Sequence, residues 1–174
     1  LTPATVSNNT IVGAVSGSTA AGGNNTIMGA GSFAAVSTAV TDVVGVGNGV
    51  LTGALTTGAN GTVAIGSGSS TALTSGAGNT SVGFQAGNIL TTGSSNTIVG
   101  YDADGSAAAR SGCVILGRGA SAAADDTLVI RMGNTSTKEI VVTPVTDATA
   151  RATLVTYLPI SVGGTTYYLE LWQT

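Results

Sequence analysis

The 174-residue chain contains no histidine, one cysteine, five basic and eight acidic residues, and only 4% aromatic side chains. Without histidine, imidazole acid/base catalysis and histidine-based metal sites are excluded. Cys113 alone cannot form an intrachain disulfide, so cysteine usage does not fix the compartment. Charged residues make up 7% of the chain, against about a quarter in an ordinary soluble domain. A net charge of −3 leaves no basic footprint for a phosphate backbone, so nucleic acid is not an expected partner. No apolar run approaches the roughly 18 residues that span a bilayer, and a membrane-inserted chain is not expected. The start at Leu1-Thr2-Pro3 has neither a Met nor a charged leader region, which reads as a piece of a longer protein.

What the chain has is glycine, 27 residues of it, and a repeat. Short apolar runs ending in glycine recur as Asn9-Thr10-Ile11-Val12-Gly13, Asn25-Thr26-Ile27-Met28-Gly29 and Thr41-Asp42-Val43-Val44-Gly45. They continue as Thr62-Val63-Ala64-Ile65-Gly66, Asn79-Thr80-Ser81-Val82-Gly83 and Asn96-Thr97-Ile98-Val99-Gly100, then Cys113-Val114-Ile115-Leu116-Gly117 and Val129-Ile130-Arg131-Met132-Gly133. Aligned this way, the terminal glycines lie 16, 16, 21, 17, 17, 17 and 16 residues apart, with one insertion around Val46 to Leu55. A second motif falls midway, at Ala54-Leu55-Thr56-Thr57-Gly58, Ala72-Leu73-Thr74-Ser75-Gly76 and Ile89-Leu90-Thr91-Thr92-Gly93. A fixed period of this kind is the mark of a repeat architecture, and glycines this close together disfavour helix.

The expected fold is all-β: a parallel β-roll, or solenoid, of about eight coils of 16–17 residues. Each coil has room for two strands and two glycine turns at about 3.3 Å per residue, and eight coils make a rod roughly 35–40 Å long. The narrow interior suits Val, Ile and Ala. A threonine column is expected at Thr10, Thr26, Thr62, Thr80 and Thr97, with Asn9, Asn25, Asn79 and Asn96 stacked before it and bonded to turn backbone. A roll this thin with so few charges needs neighbours, most simply in a homotrimer.

The recurring Asn-Thr-hydrophobic-hydrophobic-Gly unit resembles the head repeats of trimeric autotransporter adhesins. It is still more similar to repeats in phage and phage-like tail fibres, as in Gly78-Asn79-Thr80-Ser81-Val82-Gly83-Phe84-Gln85-Ala86-Gly87. The resemblance covers about residues 8–133. It implies left-handed rolls in an intertwined homotrimer, an extracellular place on a virion tail fibre or bacterial surface, and attachment to a cell-surface glycan or outer-membrane receptor. The 16–17 spacing is longer than the usual repeat of autotransporter heads.

Residues 1–133 are thus expected to form the repeat head and 134–174 a C-terminal strand and hairpin, a tip or a trimerisation cap. Two extended runs, 157–162 and 165–172, flank Gly163-Gly164, a hairpin signal. Its register sets Val162 against Thr165, Ile160 against Tyr167 and Leu158 against Leu169, with Tyr157, Tyr168, Glu170 and Trp172 on the opposite face. Tyr157, Tyr168 and Trp172 are candidate ligand contacts because amphipathic rings serve recognition surfaces; capping the open end of the roll is the plainer role. Arg110, Arg118 and Arg131 are further candidates, as an outer stripe for acidic glycans or as ion-pair partners of Asp125 or Asp126.

No catalytic residue, cofactor or metal ligand is expected. Asp102 with Asp104, and Asp125 with Asp126, are better read as turn residues than as a carboxylate pair for glycoside cleavage. Asp102-Ala103-Asp104-Gly105 begins like a calcium loop, but Cys113 stands where the closing Glu belongs. Gly45-Val46-Gly47-Asn48-Gly49 lacks the lysine of a phosphate loop. The Asn-x-Ser/Thr sequences at Asn8, Asn24, Asn79 and Asn134 are explained by the repeat, except the last. Cys113 reads as a small core residue. An ice-binding solenoid is a third class, weakened by breaks in the threonine column at Asp42, Cys113 and Val129.

Overall fold

The computed structural model describes residues 8–14, 16, 22–35, 38–133, 139–142, 157–162 and 165–170. The chain is all-β, a parallel β-solenoid of about seven turns. Eight short strands stack in parallel: β1 (Thr10–Val12), β2 (Thr26–Met28), β3 (Val44–Val46), β4 (Val63–Ile65), β5 (Thr80–Val82), β6 (Thr97–Val99), β8 (Val114–Leu116) and β10 (Leu128–Arg131). A ninth, β11 (Glu139–Val142), closes the sheet antiparallel to β10. Among the described residues the opposite wall carries only the short parallel pair β7 (Asp104–Gly105) and β9 (Ser121–Ala122), and one 3-10 turn at Thr57–Ala59. Two strands per coil were expected. The second wall instead stacks mostly as turns held by single inter-coil bonds, such as Thr56 N to Thr74 O and Thr74 N to Thr91 O, both 2.8 Å.

The register corrects the alignment of two coils. Strand β3 runs Val44–Val46 and pairs Gly45 with Ile27 and Ala64. The corner glycine of that coil is therefore Gly47, not Gly45, and the intervals of 16 and 21 on either side of it become 18 (Gly29 to Gly47) and 19 (Gly47 to Gly66). At the far end Ile130 pairs with Leu116, so Arg131, not Gly133, stands in the corner column. The physical difference is sharp. Corner glycines Gly13, Gly29, Gly47, Gly66, Gly83, Gly100 and Gly117 all have φ between +111° and +148° and lie against the next coil's backbone; a Cβ on Gly47 would sit 2.7 Å from the Gly66 carbonyl carbon. Only glycine fits there. Beyond β10 the chain turns back as antiparallel β11, and the corner column ends in an arginine.

A second column leads into each strand in the left-handed region: Asn8, Asn24, Asp42, Gly61, Gly78, Ser95, Gly112 and Asp126, φ between +53° and +71°. There is space for side chains here, so Asn and Asp, which tolerate this conformation, share the column with glycine.

The next position carries the asparagines. Asn25 Oδ1 accepts from Val43 N (3.0 Å) while its Nδ2 donates to Val40 O (2.9 Å). Asn96 accepts from Cys113 N (2.9 Å) and donates to Arg110 O (2.7 Å), and Asn79 donates to Gly76 O and Gly93 O. Each amide ties its coil to the backbone of the next. Thr62 belongs to this column, since Val44 N bonds Thr62 O (2.9 Å) and the strand starts at Val63. The expected threonine column is consequently Thr10, Thr26, Val44, Val63, Thr80, Thr97, Val114 and Leu128. Cys113 is buried in the asparagine column, its thiol facing the Ser111 and Ala124 carbonyls (3.4 and 3.3 Å).

Mid-strand residues point inward. Ile27, Ala64, Ile98, Ile115 and Val129 are buried, and where this wall thins to Gly45, Ala64 and Ser81, large side chains of the other wall (Phe33, Val50, Leu51, Leu55, Leu73, Leu90) complete the core. A β-carbon on Gly45 would meet Ile27 Cδ1 at 3.0 Å and Leu51 Cδ1 at 3.4 Å. Small and large residues alternate across the roll to hold core density. Two hydroxyls in this interior, Ser70 Oγ and Ser81 Oγ, have no hydrogen-bond partner.

Strands β12 (Tyr157–Val162) and β13 (Thr165–Glu170) form the antiparallel hairpin, pairing Val162 with Thr165, Ile160 with Tyr167 and Leu158 with Leu169. The expected register is the observed one. The Gly163-Gly164 turn lies outside the described residues.

Candidate functional site

Because the middle residue is buried in β2 to β6 and β8, as is Val129 in β10, the neighbours form the outer face; β1 is exposed at all three positions. One outward column is the threonine-aliphatic column given above. The other is Val12, Met28, Val46, Ile65, Val82, Val99, Leu116 and Ile130. No charged side chain interrupts either column. Val12, Met28, Ile65, Val99 and Val114 are all more than a third exposed. Seven intervals at about 4.8 Å make this a flat strip roughly 34 Å long and about two side chains wide.

Past the corner glycines lies a column that the sequence reading missed. Backbone bonds from Gln85 N to Ser67 O, Asp102 N to Phe84 O and Gly119 N to Tyr101 O set Ser67, Phe84, Tyr101 and Arg118 one above another in successive coils. The rings of Phe84 and Tyr101 stack with centroids 5.1 Å apart and planes 16° from parallel. The Arg118 guanidinium covers the other side of Tyr101, 5.4 Å from its centroid, a favourable cation–π distance. Both rings are exposed, Phe84 by 43% and Tyr101 by 51%, and exposed Gln85 and Asp102 lie beside them. The signal was present as Gly-aromatic, Gly-aromatic, Gly-Arg at steps of 17 residues.

The three candidate arginines do not form one stripe. Arg118 and Arg131 belong to the corner that follows the strand, where Arg131 also donates to the Gly119 carbonyl. Arg110 precedes β8 at the opposite corner and pairs with Asp125 at 3.4 Å. With the Asp125 side chain 57% exposed, this pair contributes at most about 1 kcal/mol. Tyr157 pairs with Glu170 and Tyr168 with Pro159 on the hairpin backbone, and Trp172 lies outside the described residues.

The acidic residues divide by environment. Asp102 and Asp126 stand at turn positions of positive φ. Asp104, expected in a turn, lies in β7 and is buried, its carboxylate accepting from Ile89 N (2.6 Å) and Gly105 N (2.7 Å). Burial raises its pKa above the usual carboxylate value, against the opposing pull of those two amides. Asp42 goes the other way: the Asn24 amide, then Thr41, hydrogen-bonds its carboxylate and lowers its pKa. Among the described residues no three His, Cys, Asp or Glu side chains converge on a metal-sized site, and no helix is long and apolar enough to cross a membrane.

No family model matches this sequence, and neither a curated protein nor a solved structure shows significant similarity to it.

Proposed function

We propose that this chain is a segment of a homotrimeric fibre that attaches to a cell surface, extracellularly, by non-catalytic multivalent contacts with a glycan or receptor. The observation that carries the reading is the outward strip of the sheet. It is uncharged along every coil, one column aliphatic and the other threonine or aliphatic, a surface suited to side-by-side association of parallel copies of one rod. Identical coils brought into register bury identical columns, so one weak contact is multiplied along the rod. Three chains on a common axis would present three copies of any surface site, and linked sites gain orders of magnitude in residence without new contacts. The motif resemblance to tail-fibre and autotransporter-head repeats supports the same assignment, on a virion tail fibre or a bacterial surface.

The reading is tested with the labelled, assembled chain on a glycan array and on intact bacterial cells. Retention that is lost on dissociation into monomers supports multivalent attachment. Assembly without retention on any surface assigns the segment to shaft and trimerisation cap alone, with recognition elsewhere on the fibre.

A further inference from the structure

We infer that the free face of Phe84 is a binding subsite for one neutral pyranose ring, which takes the next rung of the Phe84–Tyr101–Arg118 ladder; this rests on the attachment reading above and supplies its ligand contact. Tyr101 is covered on both sides, by Phe84 and by Arg118. Phe84 is stacked on one side only, and the residue beneath it in the column is Ser67, exposed and too short to cover a ring. The gap so left is one coil high, about 4.8 Å, which matches the separation at which the C–H face of a sugar packs on an aromatic ring. Two uncharged polar residues, Gln85 and Ser67, border the same gap. Gln85 folds back toward the Ser67 rung: its Cγ lies 3.3 Å from where a Cβ on Gly68 would stand. Ser67, exposed, stands on the next rung, and Asn48, one coil further on, donates its amide to Ala30 O at 3.2 Å, away from Phe84. An aromatic face with an amide and a hydroxyl residue at its edge fits a hydroxylated ring with one apolar side, and the absence of a formal charge on Ser67 and Gln85 selects a neutral one.

The test uses the intact chain with methyl β-D-glucopyranoside, methyl β-D-galactopyranoside and N-acetylglucosamine as probes. Saturation-transfer NMR is expected to carry magnetisation from aromatic protons to the C–H face of at least one of them, with affinity in the millimolar range typical of a single exposed contact. Phe84→Ala is expected to weaken that binding about tenfold, and Ser67→Leu to abolish it by filling the rung while Phe84 remains. Both positions are exposed, and the thermal midpoint of each variant verifies folding. No transfer to any probe, or binding unchanged in both variants, overturns the subsite. Retention of both variants on cells as strong as wild type overturns it while leaving attachment standing. Glycoside binding that depends on Phe84 without retention on any cell or array surface leaves the subsite and removes attachment.

Discussion

The substitution that tests the architecture most sharply is Gly47→Ala set against Gly45→Ala. The two glycines are two residues apart, and the repeat spacing alone points to the wrong one. Gly45 has ordinary backbone angles and faces inward; its new Cβ would meet the mobile ends of Ile27, Leu51 and Val50 at 3.0, 3.4 and 3.7 Å. Removing a glycine's freedom in the unfolded chain contributes about 0.4–1 kcal/mol, which offsets the small crowding, so Gly45→Ala should change stability by less than about 1 kcal/mol. Gly47 sits at φ +141°, and its Cβ would lie 2.7–2.8 Å from the Gly66 peptide of the next coil. Backbone strain of this kind costs on the order of 1–3 kcal/mol. Relieving the overlap spreads the two coils and weakens the bonds that join them there, Gly66 N to Val46 O at 2.8 Å and Gly68 N to Asn48 O at 3.0 Å, each worth about 1 kcal/mol. The sum, about 3–5 kcal/mol, lowers the melting temperature of a chain this size by roughly 6–20 °C. Circular dichroism melts with hydrogen exchange at residues 44–47 and 63–66 read the effect. Equal melting temperatures for the two variants, or a larger loss for Gly45→Ala, would refute the register and the close-approach argument together.

Other consequences can be checked in the same way. Ser81→Ala removes a buried hydroxyl without a partner and keeps the Ser81 carbonyl that Ser69 bonds, so its urea midpoint should rise, by about 1 kcal/mol in stability. Asn96→Ala leaves the Cys113 amide and the Arg110 carbonyl without their partner; a loss of about 2–4 kcal/mol, with faster exchange at the Cys113 amide, is expected, and an unchanged exchange rate would contradict the amide column. Asp104 has a folded-state pKa raised above the model-peptide value of 3.8. The folded state therefore holds this proton more tightly, and the stability it contributes is complete below that value and lost as pH rises through the folded pKa. The melting-temperature difference, wild type minus Asp104→Asn, should become more positive from pH 7 to about pH 4; a flat difference would contradict the burial of this carboxyl. Val99→Asp places a charge at the middle of the outward strip, where Val99 is 38% exposed, and should abolish self-association while leaving the fold's circular dichroism intact.

Much of the architecture was legible because a solenoid writes its three-dimensional period into the sequence. Asn79-Thr80-Ser81-Val82-Gly83 and Asn96-Thr97-Ile98-Val99-Gly100 gave strand, corner and period at once, and Gly163-Gly164 between alternating runs gave the hairpin pairing now seen from Val162–Thr165 to Leu158–Leu169. The register of the third coil was hidden for a physical reason. Glycine serves two purposes there, filling an inward position at Gly45 and turning the corner at Gly47, and a spacing argument cannot tell space from conformation. Thr62 was misplaced because threonine suits both the outward column and the asparagine column. Arg131 could replace a corner glycine only because no further parallel coil stacks on it. The Phe84–Tyr101–Arg118 ladder was legible in its spacing of 17 but reads as three unrelated surface residues until the coils are stacked. Residue type alone could not separate Arg110 from Arg118, since which corner each occupies depends on the strand between them.

The central claim is that the outward strip joins parallel copies of this rod into a trimer. Light scattering after size exclusion on the intact chain tests it most directly. The expected species is near three times the 16.7 kDa chain mass, reduced to the monomer by Val99→Asp. A wild-type chain that elutes as a compact 16.7 kDa monomer at micromolar concentration would contradict it.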